Sequence, residues 1–214
     1  VLYDLDSTLI DTKEGLVDTH NYIINKYNLP YKSLLEIYGF IGPLPKDIYL
    51  NVFSLNEEKA AQLHNEFRDY YVKHNVMKAK LYPYVQNVLE TLFEKGIKQY
   101  VVTNKRQDAA EKLCDFLGIK KYFSCIYGQT DKNLKTKSDI IADVLLNEKE
   151  VCSNVVMLGD TLNDLEAANK SNINFIGVNY GFGFKNNPKY LNSMLDFLKN
   201  FDFPPSFCIK PPLL

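Results

Sequence analysis

Four short apolar runs constrain this chain more than anything else in it. "VLYDL" at 1–5, "KQYVVT" at 98–103, "NVVMLGD" at 154–160 and "NFIGVN" at 174–179 carry mostly Val, Ile, Leu and Tyr. Runs of this length that lack polar alternation suit strands covered on both faces, as in parallel sheets. A weaker candidate, "YFSCIYG", lies at 122–128. Helical patterns stand between them. Residues 85–95 are apolar at 85, 88, 89, 92 and 93 and stop at Gly96; 107–117 stop at Gly118 in the same way. Segments 137–147 and 162–171 follow their strands directly. This alternation predicts an α/β fold, a doubly wound, Rossmann-like parallel sheet.

Residues 13–80 break the rhythm, with no convincing strand and several helical stretches, among them 13–28 and 56–77. They predict an all-helical domain inserted after the first strand. The α/β core is then 1–12 with 81–203, and 204–214 form a tail whose four prolines exclude a helix and favour an extended surface strip over a docking segment.

Composition narrows the function. The 214 residues are 46% hydrophobic, enough for a sizeable core. A net charge of −1, a pI near 6.4 and the lack of a basic stripe argue against nucleic acid as a partner. The four cysteines show no C-x-x-C spacing and read as free thiols of a reducing compartment. No signal peptide or membrane-crossing run is evident, so a cytoplasmic protein is expected, although the chain begins inside what reads as a strand and a few residues could precede it.

Ligands of open α/β sheets bind beyond the carboxyl ends of the strands, so those ends are informative. The first ends in Asp4-Leu5-Asp6-Ser7-Thr8, the second in Thr103-Asn104-Lys105, and another in Gly159-Asp160-Thr161 with Asn163 and Asp164 close behind. A polar loop carrying Lys135 leads to a helix start at Lys137. Alternation lets Asp4 and Asp6 share a side while Leu5 faces the other. Taken singly, Asp160 reads as a helix N-cap, Thr103 as a strand-end hydroxyl and Lys137 as a solvated charge. Together, in order on one rim, they read as a site. Clustered carboxylates without His or Cys are hard oxygen donors, and the expected ion is Mg²⁺, bridging to a phosphate.

"DLDSTLID", "VVTN", Lys137 and "GDTLND" resemble, in order, the four motifs of the haloacid dehalogenase superfamily. The likeness covers nearly the whole chain, and the helical insertion is similar to the small cap of phosphoglycolate phosphatase-like members. The resemblance implies that Asp4 is the nucleophile and forms an aspartyl-phosphate. It makes Asp6 the acid toward the leaving alcohol and then the base toward water. It gives Mg²⁺ to the Asp4 carboxylate, the Asp6 main-chain carbonyl and Asp160, with Asp164 supporting, and the phosphoryl oxygens to Thr103 and the Asn104 amide. Lys137 would neutralise nucleophile and phosphate together.

The chain departs from the family's pattern in two places. Ser7 stands where the family usually has Gly, although phosphoserine phosphatase-like members also carry Ser there. The usual Lys-Pro of the third motif is missing, which leaves Lys135 and Lys137 as candidates; "KSDIIADVL" favours Lys137 as the first turn of a helix. Asp11 reads as the N-cap of the first inserted helix, with Glu14 completing a capping box. Asp6, where dehalogenases carry Tyr, favours phosphorus chemistry, and Leu16, where mutases carry His, argues against a mutase. His20 is expected to pack or face solvent. Signalling receiver domains also combine clustered acids with a strand-end Thr and a Lys, but they lack an insertion of this size. The reading is a Mg²⁺-dependent phosphatase acting on a small phosphorylated metabolite, phosphoglycolate phosphatase-like. The alternatives are a 5'-nucleotidase, a sugar-phosphate phosphatase, a pyrophosphatase or a silent scaffold.

Overall fold

The computed structural model describes residues 1–41, 43–130 and 135–200. The tail at 204–214, with Cys208, lies outside them. The chain divides into two compact units, Val1–Asp11 with the chain from Lys80 onward, and Thr12–Ala79.

The first unit holds strands β1 (Leu2–Tyr3), β2 (Ile10–Asp11), β3 (Lys80–Leu81), β4 (Tyr100–Arg106), β5 (Cys125–Gln129), β6 (Val156–Gly159) and β7 (Asn174–Gly177). Five of these form one sheet in the order β5-β4-β1-β6-β7, with every pairing parallel. β1 is the shortest and the most central. Leu2 pairs with Tyr100 on one side and Met157 on the other, and Tyr3 with Val101 and Leu158. Consecutive strands run outward on opposite sides of β1, which makes its end the switch point of the sheet.

The helices of this unit are α5 (Val85–Glu94), α6 (Gln107–Phe116), α7 (Lys137–Asn147), α8 (Leu162–Lys170) and α9 (Met194–Asn200); four more precede them in the other unit. Alternate strand residues Leu2, Tyr100, Val102 and Met157 pack with Ile140, Ile141 and Val144 of α7 and Ala167 and Ala168 of α8. Val88, Leu89 and Leu92 of α5 are buried as well, and Gln99, also buried, donates to the Leu89 carbonyl at 2.9 Å while accepting from the Tyr3 hydroxyl. A polar side chain inside the core is thereby satisfied at both ends. α5 and α6 stop at Gly96 and Gly118, both left-handed, as the sequence predicts.

The strands differ from the apolar runs in length. β1 ends at Tyr3, and beyond Asp4 the chain turns over residues 7–9, where Leu9 and Ile10 both donate to the Leu5 carbonyl. β4 runs past Thr103 to Arg106. β2 and β3 pair antiparallel, Ile10 with Leu81 and Asp11 with Lys80. This pairing overturns the expected cap at Asp11. The residue is held extended against Lys80, so the N-cap of α1 falls to Thr12, which makes no side-chain cap bond, and Glu14 completes no capping box.

The second unit contains α1 (Lys13–Lys26), α2 (Leu34–Tyr38), α3 (Pro45–Asn51) and α4 (Glu57–Tyr70). The helical stretch predicted over 56–77 is present but changes its pitch along the way. α4 ends at Tyr70, widens into a π turn over Tyr71–Asn75 and closes with a 3₁₀ turn at Val76–Lys78. The wider turn carries the buried Asn75, whose amide donates to Thr19 of α1 at 3.0 Å. His20 is buried, packed edge-on to Phe40 and 4.5 Å from the Phe67 ring. Among the described residues no helix is long and apolar enough to cross a membrane.

Candidate active site

The sheet assembles the site at the carboxyl end of β1. Asp4 follows the last paired residue of that strand, and its amide donates to the Leu158 carbonyl of β6 at 2.9 Å, fixing it beside the end of the neighbouring strand. Its carboxylate is buried, and its Oδ1 accepts from Lys137 Nζ at 2.6 Å. Lys137 is the first residue of α7. A capping box places it there: Thr136 accepts from the Asp139 amide at 3.2 Å, and Asp139 accepts from the Thr136 amide at 3.0 Å. The same ammonium donates to Asp164 Oδ1 at 2.5 Å. Lys135 instead pairs with Asp143 along the helix.

Asp164 reaches the site through a second capping box, at the start of α8. Its Oδ2 accepts from the Thr161 amide at 3.0 Å and hydroxyl at 2.7 Å, so both of its oxygens are engaged. Asp160, at the end of β6, is held by something the sequence does not announce. The amides of Phe182 and Gly183 donate to its Oδ2 at 2.8 and 3.4 Å, from the loop after β7. That loop lies so close that a Cβ on Gly181 would stand 2.6 Å from the same oxygen. Thr8 makes a long contact with Oδ1 at 3.4 Å.

One carboxylate oxygen from each of Asp4, Asp160 and Asp164 lies within 4.8 Å of the others, and all three residues are buried. Burial pushes the Asp4 carboxyl well above the usual carboxylate range, against the pull of Lys137, and Asp164 and Asp160 add repulsion. Burial likewise pushes Asp160 up to about 6, partly offset by the Phe182 amide. Burial alone would discharge Lys137, but the Asp4 and Asp164 carboxylates outweigh it and hold the ammonium above its ordinary range. Three carboxylates share this cluster with one ammonium, and their mutual repulsion and all-oxygen donor set fit a hard divalent cation such as Mg²⁺.

The other candidates lie on the same rim. Thr103 is buried, and its Oγ1 accepts from the Lys105 amide at 3.1 Å. Asn104 is exposed, its side chain 3.5 Å from Gln129. Asp6 does not point its carboxylate into the acidic cluster; Oδ1 is 2.9 Å from Lys105 Nζ. Ser7 adopts φ +66°, a left-handed conformation that explains why a glycine suits this position.

A family model described as haloacid dehalogenase-like hydrolase matches residues 1–178. The chain belongs to that family. It is 27% identical over 184 residues to a 5'-nucleotidase of Pseudomonas aeruginosa, covering 86% of this chain and 83% of the relative. It is also 27% identical over 187 residues to a phosphoglycolate phosphatase of Agrobacterium fabrum, covering 85% and 80%. A solved haloacid dehalogenase-like family hydrolase from Streptococcus pneumoniae superposes with a TM-score of 0.85 at 25% identity, over 94% of this chain and 97% of that one. The chain is thus a phosphatase-type hydrolase of the haloacid dehalogenase-like family, similar to phosphoglycolate phosphatases.

Proposed function

We propose that this haloacid dehalogenase-like hydrolase cleaves a small phosphomonoester with Mg²⁺, through a phosphate ester formed on Asp4. The observation that carries the reading is the buried Asp4–Lys137–Asp164 chain of contacts beside Asp160, at the sheet's switch point. Asp4 Oδ1 is engaged by Lys137, which steadies the carboxylate and leaves Oδ2 to attack phosphorus. Lys137 also offsets the charge that accumulates as phosphoryl and carboxylate meet. Asp6 gives a proton to the leaving alcohol and takes one from water in the second half-reaction. Thr103 and the Asn104 amide orient the phosphoryl oxygens.

The acids we assign to the cation are Asp4 and Asp160, with the Asp6 carbonyl, while Asp164, which accepts from Lys137 and from the Thr161 amide and hydroxyl, supports the site by orienting Lys137. Bound there, Mg²⁺ supplies the positive charge that lets carboxylates and phosphate share one pocket. The unit Thr12–Ala79 is assigned the part of the cap.

Phosphoglycolate is the leading substrate because phosphoglycolate phosphatases recur among the relatives. A second reading, a nucleoside monophosphate, is favoured by the Pseudomonas 5'-nucleotidase. The test is hydrolysis of an aryl phosphate with and without Mg²⁺ by the parent and by Asp4→Asn, followed by both natural esters. Metal-dependent turnover that disappears in the variant is expected. Turnover that survives Asp4→Asn sinks the covalent mechanism.

A further inference from the structure

Lys105 occupies none of the positions assigned above, yet the fold brings it to the acid assigned to proton transfer. Its Nζ is 2.9 Å from Asp6 Oδ1, and the two side chains are 10% and 28% exposed. An exposed ion pair of two flexible side chains would signify little. This one is largely covered and is presented by an irregularity in the backbone.

Between Val102 and Arg106, β4 takes four residue steps, while β5 covers the matching stretch from Tyr127 to Gln129 in two. The surplus buckles Thr103, Asn104 and Lys105 out of the ladder, and such bulges re-aim side chains next to active sites. The buckle is braced from both sides. The Lys105 amide donates to Thr103 Oγ1 at 3.1 Å. Gln107 accepts from the Gly128 amide at 2.6 Å and donates to the Ile126 carbonyl at 2.8 Å. A Cβ at Gly128 would stand 2.7 Å from the Lys105 carbonyl, so β5 approaches this closely only with glycine there. One deformation therefore delivers Thr103 to its place and Lys105 to Asp6.

We infer that Lys105 is a positioning residue for Asp6, fixing the orientation of its carboxyl group toward the leaving oxygen. This rests on the proposed role of Asp6. In the first half-reaction an Asp4 oxygen bonds to phosphorus and the bond from phosphorus to the ester oxygen breaks. The leaving oxygen keeps that electron pair and takes the proton from Asp6. Asp6 ends as a carboxylate beside the Lys105 ammonium. In the second half, water attacks phosphorus as Asp6 takes its proton, and the Asp4 oxygen is released. An acid misplaced by a fraction of an ångström transfers its proton poorly, so an anchor on Asp6 matters most where the leaving group needs that proton.

The experiment compares kcat/KM, which reads the steps up to the ester on Asp4, for an alkyl phosphate and for 2,4-dinitrophenyl phosphate. The dinitrophenolate leaves without a proton and the alkoxide does not. Lys105→Met is expected to lose roughly tenfold or more on the alkyl ester and to stay within about threefold of the parent on the aryl ester. Lys105→Arg is expected to recover part of the alkyl rate. Retained aryl turnover doubles as proof that the variant folds. An equal loss on both esters, with weaker inhibition by inorganic phosphate, overturns the inference by making Lys105 a phosphate ligand. Unchanged alkyl turnover overturns it too. Asp6→Asn is measured alongside. A leaving-group split in Asp6→Asn but not in Lys105→Met sinks this inference alone, and no split in Asp6→Asn sinks the acid role and this inference with it.

Discussion

A buried imidazole shows what single side chains contribute beyond the site. His20 sits among Phe40, Tyr49 and Phe67, its Nδ1 has no hydrogen-bond partner, and burial lowers its pKa from 6.5 to about 3. The unfolded chain binds the proton at the ordinary value and the folded unit only at the depressed one. Between the two, unfolding takes up a proton, so stability is lost as pH falls from 6.5 toward 3. The size is about 1.4 kcal/mol per pH unit, or roughly 2 kcal/mol by pH 5. Denaturant titrations at pH 7 and pH 5 are expected to show the parent losing about that much more than His20→Leu. Parallel losses in the two proteins would remove His20 as the cause. The sequence offers packing or solvent for this residue, and packing is what the structure shows. Asp4, Asp160 and Lys137 were legible because they stand at the ends of apolar runs or at a helix start. The amides of Phe182 and Gly183 were not, because a main-chain donor carries no residue signature and its target is 22 positions away.

Among the elements, β4 and β5 are the pair whose fit matters most. Both were readable as apolar runs, since Val101, Val102 and Ile126 need burial whatever the local geometry. The bulge was not readable, because an insertion in a ladder exists only relative to the partner strand. The same limit hid β2 and β3, whose two residues each are too few to show a period. Gly128→Ala tests how tightly the two strands are matched. The added methyl would meet the Lys105 carbonyl at 2.7 Å and Gln107 Cα at 2.9 Å, both backbone atoms, so the strands must part. Overpacking of this kind costs about 1–3 kcal/mol, and turnover is expected to fall with it, because Thr103 and Lys105 ride on the displaced segment. A variant with parental melting temperature and parental kcat/KM would show that the bulge adapts freely.

For the molecule as a whole, the acidic cluster gathers a repulsion that a bound cation would relieve. Binding to the folded state alone stabilises by about 2.7 kcal/mol at a hundredfold excess over Kd. Thermal melts are therefore expected to rise on adding Mg²⁺ to the parent and to rise much less for Asp160→Asn, whose cluster keeps its shape with one charge fewer. Equal rises would place the cation elsewhere. The parallel, doubly wound sheet and the helical insertion were legible from patterning over many residues, where errors at single positions average out, but the order of the strands was not. How the insertion is spliced in was not. Its two ends leave the core from β2 and β3, which lie side by side as an antiparallel ribbon with Asp11 opposite Lys80. To the core, Thr12–Ala79 is therefore one long hairpin loop, and closing such a loop costs free energy only logarithmically in its length. The ribbon acts as a socket. Whatever is plugged into it, whether a short turn, this helical bundle or a larger module, would present the core with the same two strand ends, so the insert could change without redesign of the strands that hold the candidate site.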